Sequence, residues 1–260
     1  PVGTKLWKEF KLGGKRIETR LYMKAQDGTW KRTVYRWTAD ESDAVRKGSG
    51  EKVPVAGLPS YEIPSANQCS ECHSGRTEPV LGFDAIGLGV AGATGVTLAG
   101  LAAEGRFATT PPATQLTIPD DVGGTAAPAL GWLHANCGSC HNASAGAGAF
   151  FTGLFFLIKP SQLLADGGVG SWADLDGIQT SCGKPSSKSD GDGGFLQRRA
   201  PGAPSQSAVS RLAGRRAPEG QEPNSNIQMP PLVSHRVDEV GHQQLDAWIT
   251  ATTVCPPPVQ

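Results

Sequence analysis

A five-residue pattern, C-x-x-C-H, occurs twice in this chain of 260 residues and constrains its fold more than any other feature. Each copy supplies two thiols and an adjacent imidazole: Cys69, Cys72 and His73 within "NQCSECHSG", and Cys137, Cys140 and His141 within "ANCGSCHNA". Together the copies contain four of the six cysteines. Because the same spacing recurs, we expect both copies to perform the same chemistry.

Three kinds of site use such cysteine pairs. Two C-x-x-C pairs can form a zinc site, typically about 15–20 residues apart, but here they lie 68 positions apart and a histidine follows each second cysteine. A thioredoxin-like redox pair needs a βαβ setting, and neither copy follows an apolar strand. Haem c explains every feature, because the thiols form thioethers with the vinyl groups and the histidine becomes the proximal iron ligand. The sequence therefore predicts two haem c groups, with His73 and His141 as the proximal ligands.

Composition excludes some classes of protein. The formal net charge is zero, so no basic excess favours nucleic acid as a partner. The 34 glycines and 20 prolines predict many loops and short helices. An uncharged run, residues 86–103, is interrupted by glycines, which predicts a loop and a short helix at about 95–104 rather than a transmembrane segment. The chain begins at Pro1 without an initiator Met, which we interpret as the result of signal-peptide removal.

The second motif is followed by a candidate distal ligand, Met229. It precedes two prolines, which hold it in an extended loop, and a helix at about 237–250 should follow, with Val237, Val240, Leu245, Trp248 and Ile249 on one face. Another helix, at about 129–136, leads into the motif. This order of elements is typical of a class I cytochrome c and predicts that Met229 ligates the second iron. The alternatives are that Met229 packs in the core and that His235 is the ligand; His134 and His242 are expected to have packing or polar roles.

The first motif has no methionine after it, so the candidate distal ligand is Met23. Residues 17–25 alternate between apolar and polar side chains, which predicts a half-buried strand with Met23 on its inner face. The pair Asp27-Gly28 predicts a hairpin turn into a strand at about 29–38, and residues 5–12 predict a further strand. The pattern alone leaves open whether Met23 is a ligand or part of the core.

Several segments resemble a family of exported two-haem c-type cytochromes. They are "PVGTKLWKEF", "IETRLYMKAQDGTW" with "YRW", "IPSANQCSECH" with "LGF", "WLHANCGSCHN", "APGAPSQSAVSRL" and "MPPLVSHRVDEVGHQQLDAWI". In that family the "ETRL" strand usually carries a methionine at the position of Met23, which implies that Met23 is the distal ligand of the first haem iron. Residues 143–194, rich in Gly, Ser and Asp, depart from the resemblance.

Two cysteines lie outside the motifs, Cys182 and Cys255. Haem c attachment implies an oxidising compartment, in which leftover thiols tend to pair. We therefore expect a Cys182–Cys255 disulfide that restrains the end of the last helix. The alternative is two buried thiols.

These elements predict a loop-rich α+β fold. It has a small antiparallel β unit and two haem c segments, the second being a mainly α cytochrome c-like domain. We expect a first domain over residues 1–124, containing the β unit and the first haem, and a second over residues 125–260.

The predicted function is outer-sphere electron transfer between redox partner proteins, either transient or within a complex. His/Met ligation leaves no open iron position and raises the reduction potential, which favours an electron carrier over an enzyme. The expected location is periplasmic or extracellular, in a bacterium. Two alternatives stay open: a two-haem peroxidase with one open iron, and an electron-transfer subunit of a larger respiratory or extracellular conduit.

Overall fold

The computed structural model describes residues 1–55, 58–109, 111, 116–164, 170–189, 194–218 and 221–258. The chain forms two compact units, Pro1–Ser74 and Gly75–Gln260. The division follows directly after the first motif, whereas the sequence places it at 124/125. The α+β class is confirmed, since both helices and antiparallel sheet are present.

The first unit is built on a four-stranded antiparallel sheet. Its strands lie in chain order: β1 (Lys5–Leu12), β2 (Lys15–Lys24), β3 (Trp30–Trp37) and β4 (Ala44–Lys47). A separate hairpin, β5 (Glu51–Val55) and β6 (Leu58–Ile63), precedes helix α1 (Ala66–His73). The predicted turn is present between β2 and β3, where Gly28 has φ +77°. The three strands predicted in this segment are thus confirmed.

A bulge in β2 changes which face of this strand is buried. Phe10 pairs with Glu18 and Lys11 pairs with Arg16, so Ile17 is the extra residue. One additional residue shifts the phase of the side chains that follow. Tyr22 is consequently buried, whereas Met23 is half-buried. The prediction that Met23 lies on the inner face is therefore wrong.

The second unit contains seven described helices and a hairpin. They are α2 (Ala85–Gly89), α3 (Leu98–Ala103), α4 (Ala126–Asn136), α5 (Pro160–Leu163), α6 (Asp176–Gln179), β7 (Pro185–Ser189), β8 (Phe195–Gln197), α7 (Ala208–Ala213) and α8 (Glu239–Ala251). Single 3₁₀ turns occupy Phe150–Thr152, Trp172–Asp174 and Pro204–Gln206. None of the helices in the described part of the chain combines the length and apolarity needed to cross a membrane.

Helices α4 and α8 pack against each other at the centre of this unit. Their fully buried side chains include Leu133, Leu245 and Trp248. A Cβ added at Gly241 would overlap the indole of Trp132, so Gly241 allows the close crossing. Val240, predicted on the buried face, is 67% exposed, because Gly241 occupies the position one turn before Leu245.

The same core explains where the second unit begins. Ile86 in α2 and Leu116 are buried in the cluster that contains the α4 and α8 side chains. Segments on both sides of residue 124 therefore share one hydrophobic core, which is the physical mark of a single folded unit.

The two remaining cysteines lie at disulfide distance. The sulfur atoms of Cys182 and Cys255 are 2.04 Å apart, and their Cα atoms are 5.6 Å apart. This is the pair expected from the sequence. It joins the segment after α6 to the residues that follow α8.

Candidate functional site

The second motif continues the last turn of α4. The N–H of Cys137 donates to the Leu133 carbonyl at 2.8 Å, which keeps the first thiol in register with the helix. The N–H groups of Cys140 and His141 then donate to the Cys137 carbonyl at 3.2 and 2.8 Å. Two thiols and one imidazole are thereby held in a single tight turn of backbone.

A hydrogen bond to one ring nitrogen of His141 determines which of the two nitrogens carries the proton. Nδ1 lies 3.2 Å from the Leu154 carbonyl, and a carbonyl oxygen only accepts, so Nδ1 carries the proton and Nε2 carries the lone pair. Burial lowers the pKa of His141, and the charge on Arg198 acts in the same direction against the Leu154 hydrogen bond. A neutral imidazole whose Nδ1–H is held by a backbone carbonyl is a typical iron ligand.

The residues between and after the motif cysteines close the turn. The buried Asn142 donates through Nδ2 to the carbonyls of Gly138 and Ser139, both at 2.9 Å. A Cβ at Gly138 would lie 2.6 Å from the His134 carbonyl, so a side chain does not fit there. The letters "CGSCHN" therefore specify this turn as well as its chemistry.

His134, one turn before Cys137, is buried, and both of its ring nitrogens have hydrogen-bond partners. Its Nδ1 accepts from the Ile158 N–H at 3.0 Å, and its Nε2 lies 3.3 Å from Asp84 Oδ1. Arg76 pairs with the other oxygen of Asp84 at 2.9 Å. Burial alone would raise the pKa of Asp84, but the hydrogen bonds from His134, the Gly87 N–H and Arg76 hold it well below its usual range.

The first motif lies on α1. Ser65 and Gln68 form a capping box: the Ser65 N–H donates to Gln68 Oε1 at 2.8 Å, and Ser65 Oγ accepts from the Gln68 N–H at 3.3 Å. Cys69, Cys72 and His73 are three and four residues apart, so they share one face of the helix. As in the second motif, two thiols and an imidazole are presented together.

The buried face of β2 and β3 supports this helix. The ring centroids of Tyr22 and His73 are 4.6 Å apart, with 31° between the ring planes. Arg32 Nη1 donates to Ser70 Oγ at 2.8 Å. Met23 follows Tyr22 and projects to the opposite face of β2, where its cross-strand neighbours are the exposed Lys5 and Lys31. The contact with His73 is therefore made by Tyr22 of the buried face, and ligation by Met23 stays a prediction.

The first thiol of each motif is in an environment that disfavours the thiolate. Burial raises the pKa of Cys69. Burial, with a smaller effect of Cys140, raises the pKa of Cys137 to about 12. A reactive redox pair requires a lowered thiol pKa, so these environments do not favour thiol–disulfide exchange. Within the described ranges, no group of three or more His, Cys, Asp or Glu side chains is arranged to hold a metal ion.

Met229 lies in a loop that a buried side chain organises. Its N–H donates to the Leu212 carbonyl in α7 at 2.8 Å. The preceding Gln228 is fully buried: its Oε1 accepts from the Ala217 N–H at 2.7 Å, and its Nε2 donates to the carbonyls of Pro230 and Ser234 at 2.8 Å. Nothing in the sequence distinguishes Gln228 from a surface residue. His235, the alternative ligand, is exposed.

A cavity of about 340 Å³ lies beside the second motif in the same unit. Asn142, Phe155 and Leu157 line it, together with the ion pair of Lys159 and Asp176, whose atoms Nζ and Oδ2 are 2.9 Å apart. The turn that carries the motif therefore has open space next to it.

Comparisons of the chain with family models, curated proteins and solved structures found no significant match. The functional conclusion therefore depends on the residues and their geometry.

Proposed function

We propose that this protein is a two-haem c-type cytochrome that transfers electrons between redox partners outside the cytoplasm. The observation that carries the proposal is the second motif: two thiols and a neutral imidazole in one turn, with the Leu154 carbonyl on Nδ1 of His141. A covalently held haem would supply an iron that cycles between the ferrous and ferric states. The protein would attach it through Cys137 and Cys140 and orient it with His141.

The first motif supports the same assignment for a second haem. Cys69, Cys72 and His73 lie on one face of α1, as attachment through both thiols and ligation by the adjacent imidazole require. The motif is thus presented by a capped helix in one unit and by a turn after a helix in the other. Two different local structures that preserve the same thiol and imidazole spacing favour a shared cofactor.

The Met229 loop supports His/Met ligation of the second iron. Gln228 makes three hydrogen bonds to the backbone around Met229, so the loop has a defined conformation. A thioether ligand favours the reduced iron and raises the potential. If His141 and Met229 both ligate the iron, these two residues would leave no site for a substrate, which suits electron transfer.

Buried donors without partners also fit a haem, which carries two carboxylates. Arg199 is fully buried with its guanidinium 4.3 Å over the ring of Trp248, and burial lowers its pKa to about 10. In the part of the chain that the structure describes, neither Nη atom of Arg199 nor Nε1 of Trp248 has a hydrogen-bond partner. An unpaired buried cation is costly, and an anionic cofactor would offset that cost.

One observation favours the alternative of a two-haem peroxidase. Met23 and Tyr22 project to opposite faces of β2, and the ring of Tyr22 contacts that of His73. If Met23 does not ligate, His73 would be the one protein ligand proposed for the first iron, and peroxide chemistry would need such an exchangeable position together with an acid–base group. Electron transfer stays the preferred proposal because it requires only the attachment residues and one Met ligand.

The test begins with haem content. A pyridine haemochrome assay and mass spectrometry of the exported chain should find two haem c groups, and Cys137→Ala/Cys140→Ala and Cys69→Ala/Cys72→Ala should each lose one. The double variant Cys182→Ser/Cys255→Ser removes the two cysteines outside the motifs, and its folded fraction should retain both haem groups. A wild-type chain without haem would refute the proposal.

Ligation and function are tested next by spectroscopy of the oxidised protein. Met229→Ala should abolish a Met–iron charge-transfer band at the red end of the visible spectrum, and Met23→Ala should remove a second band if Met23 ligates. Two low-spin haems with negligible peroxide turnover support electron transfer. A high-spin haem with rapid peroxide turnover would instead establish the peroxidase.

A further inference from the structure

The loop over residues 149–156 wraps the second motif. The Ala149 N–H donates to the Cys140 carbonyl at 3.1 Å, and the Phe156 N–H donates to the His141 carbonyl at 2.8 Å. Between these two anchors lies Leu154, whose carbonyl faces Nδ1 of His141. The orientation of the imidazole therefore depends on the backbone of this loop.

Arg198 holds the middle of the loop from outside the motif. Its guanidinium donates to four backbone carbonyls: Thr152 at 2.6 Å, Gly153 and Thr180 at 2.8 Å, and Pro185 at 3.2 Å. The carbonyls of residues 152 and 153 immediately precede Leu154. Gly153 has φ +60°. A Cβ added at Gly153 would lie 3.7 Å from Nη2 of Arg198, so the guanidinium is next to this position.

The backbone of Arg198 is itself fixed on both sides. Its N–H donates to the Lys184 carbonyl at 2.8 Å, and its carbonyl accepts from the Val209 N–H at 3.1 Å. Arg198 directly follows β8. The guanidinium is thus delivered to the loop by a backbone that is already ordered, so little conformational entropy is lost in forming the four hydrogen bonds.

We infer that Arg198 is a positioning residue for the second haem: it fixes the Leu154 carbonyl on His141, and its positive charge favours the ferrous over the ferric iron. The inference rests on the proposed function, since it requires a haem at the second motif. A fixed cation beside the iron ligand opposes the additional positive charge of the oxidised iron. Loss of Arg198 should therefore lower the reduction potential of this haem.

Two substitutions separate the charge from the geometry. Arg198→Gln removes the charge and most of the hydrogen bonds. Arg198→Lys retains the charge, but one ammonium cannot reproduce the guanidinium fork on four carbonyls. Arg106→Gln is a matched control, because it makes the same change in charge at an exposed residue of the same unit that pairs with Glu104.

The experiment is a spectroelectrochemical titration of the four full-length holoproteins. In Arg198→Gln, the reduced-to-oxidised ratio of one haem at fixed potential should fall about tenfold, which corresponds to a midpoint about 59 mV lower for a one-electron couple. Arg106→Gln should match the wild type. Arg198→Lys should keep a potential near the wild type but show altered haem-methyl NMR shifts, which report the imidazole orientation.

The possible results distinguish failure of the Arg198 inference from failure of the proposed function. Equal potentials in Arg198→Gln and Arg106→Gln would overturn it while both haems are still present. If Arg198→Gln does not fold, Arg198→Lys decides alone, and haem-methyl shifts identical to the wild type would overturn the positioning role. Absence of haem from the wild-type chain would refute the proposed function itself.

Discussion

Substitution of Gly241 tests how closely α8 packs against α4, the helix that leads into the second motif. In Gly241→Ala, the helix interior gains about 1 kcal/mol from the better helix former. The new Cβ, however, would overlap the indole of Trp132, and overpacking of this kind costs about 1–3 kcal/mol. The indole cannot move freely, because its Nε1 donates to Asp238 Oδ2 at 2.7 Å; losing this bond costs about 1 kcal/mol more.

The balance predicts that Gly241→Ala lowers the free energy of unfolding by about 1–3 kcal/mol. For a unit of this size the melting temperature should fall on the order of 5 °C. Thermal unfolding followed by circular dichroism and by Soret absorbance measures the shift. Gly87→Ala is the control, since Gly87 is an exposed helical glycine of the same unit and a Cβ there would make only ordinary contacts, the nearest at 3.5 Å.

The coupling between the two residues provides a stricter check. If the indole causes the loss, Gly241→Ala combined with Trp132→Ala should lose less stability than the two single substitutions added together. A Gly241→Ala protein that melts at or above the wild-type temperature would refute the packing explanation.

Three further predictions concern the second unit. The folded pKa of Asp84 is below the unfolded value of about 3.9, so the ionised carboxylate stabilises the fold above about pH 3.9, and this contribution is lost as the pH falls through the folded pKa. Asp84→Asn should therefore lower the unfolding free energy most near pH 7 and less below roughly pH 4, as measured by chemical denaturation. Removing the Cys182–Cys255 pair, which closes 73 positions, should lower the unfolding free energy by about 4–5 kcal/mol in the entropic model, and peptide mapping without reductant should recover the two peptides joined. Gln228→Ala should keep both haems but weaken the Met229–iron band, because it leaves buried backbone groups without partners at about 1–3 kcal/mol; an unchanged band would show that Gln228 does not order the loop.

Helices α4 and α8 show how much periodicity can predict. Leu245, Trp248 and Ile249 recur at helical spacing, and all three are buried as expected. The pattern placed Val240 with them, but it could not predict that Trp132 approaches α8 closely enough to require Gly241. That requirement comes from a residue more than 100 positions away, which no local pattern contains.

Strand β2 shows the corresponding limit for sheets. Alternation located the strand but assigned its faces incorrectly, because the extra residue at Ile17 is defined only by pairing with β1. The assignment of faces matters for function, since it places Tyr22 rather than Met23 against His73.

By itself, the sequence determined the two thiol–imidazole motifs, the main strands and helices and the α+β class, because these follow from residues near each other in the chain. Only the tertiary structure decided that the second unit begins at Gly75, that the Leu154 carbonyl defines the tautomer of His141, that Arg198 holds the loop around the second motif, and that Gln228 holds the loop of Met229. These features depend on backbone carbonyls and on contacts between distant segments. Every residue has a backbone carbonyl, so its position in space, not its identity, makes it functional.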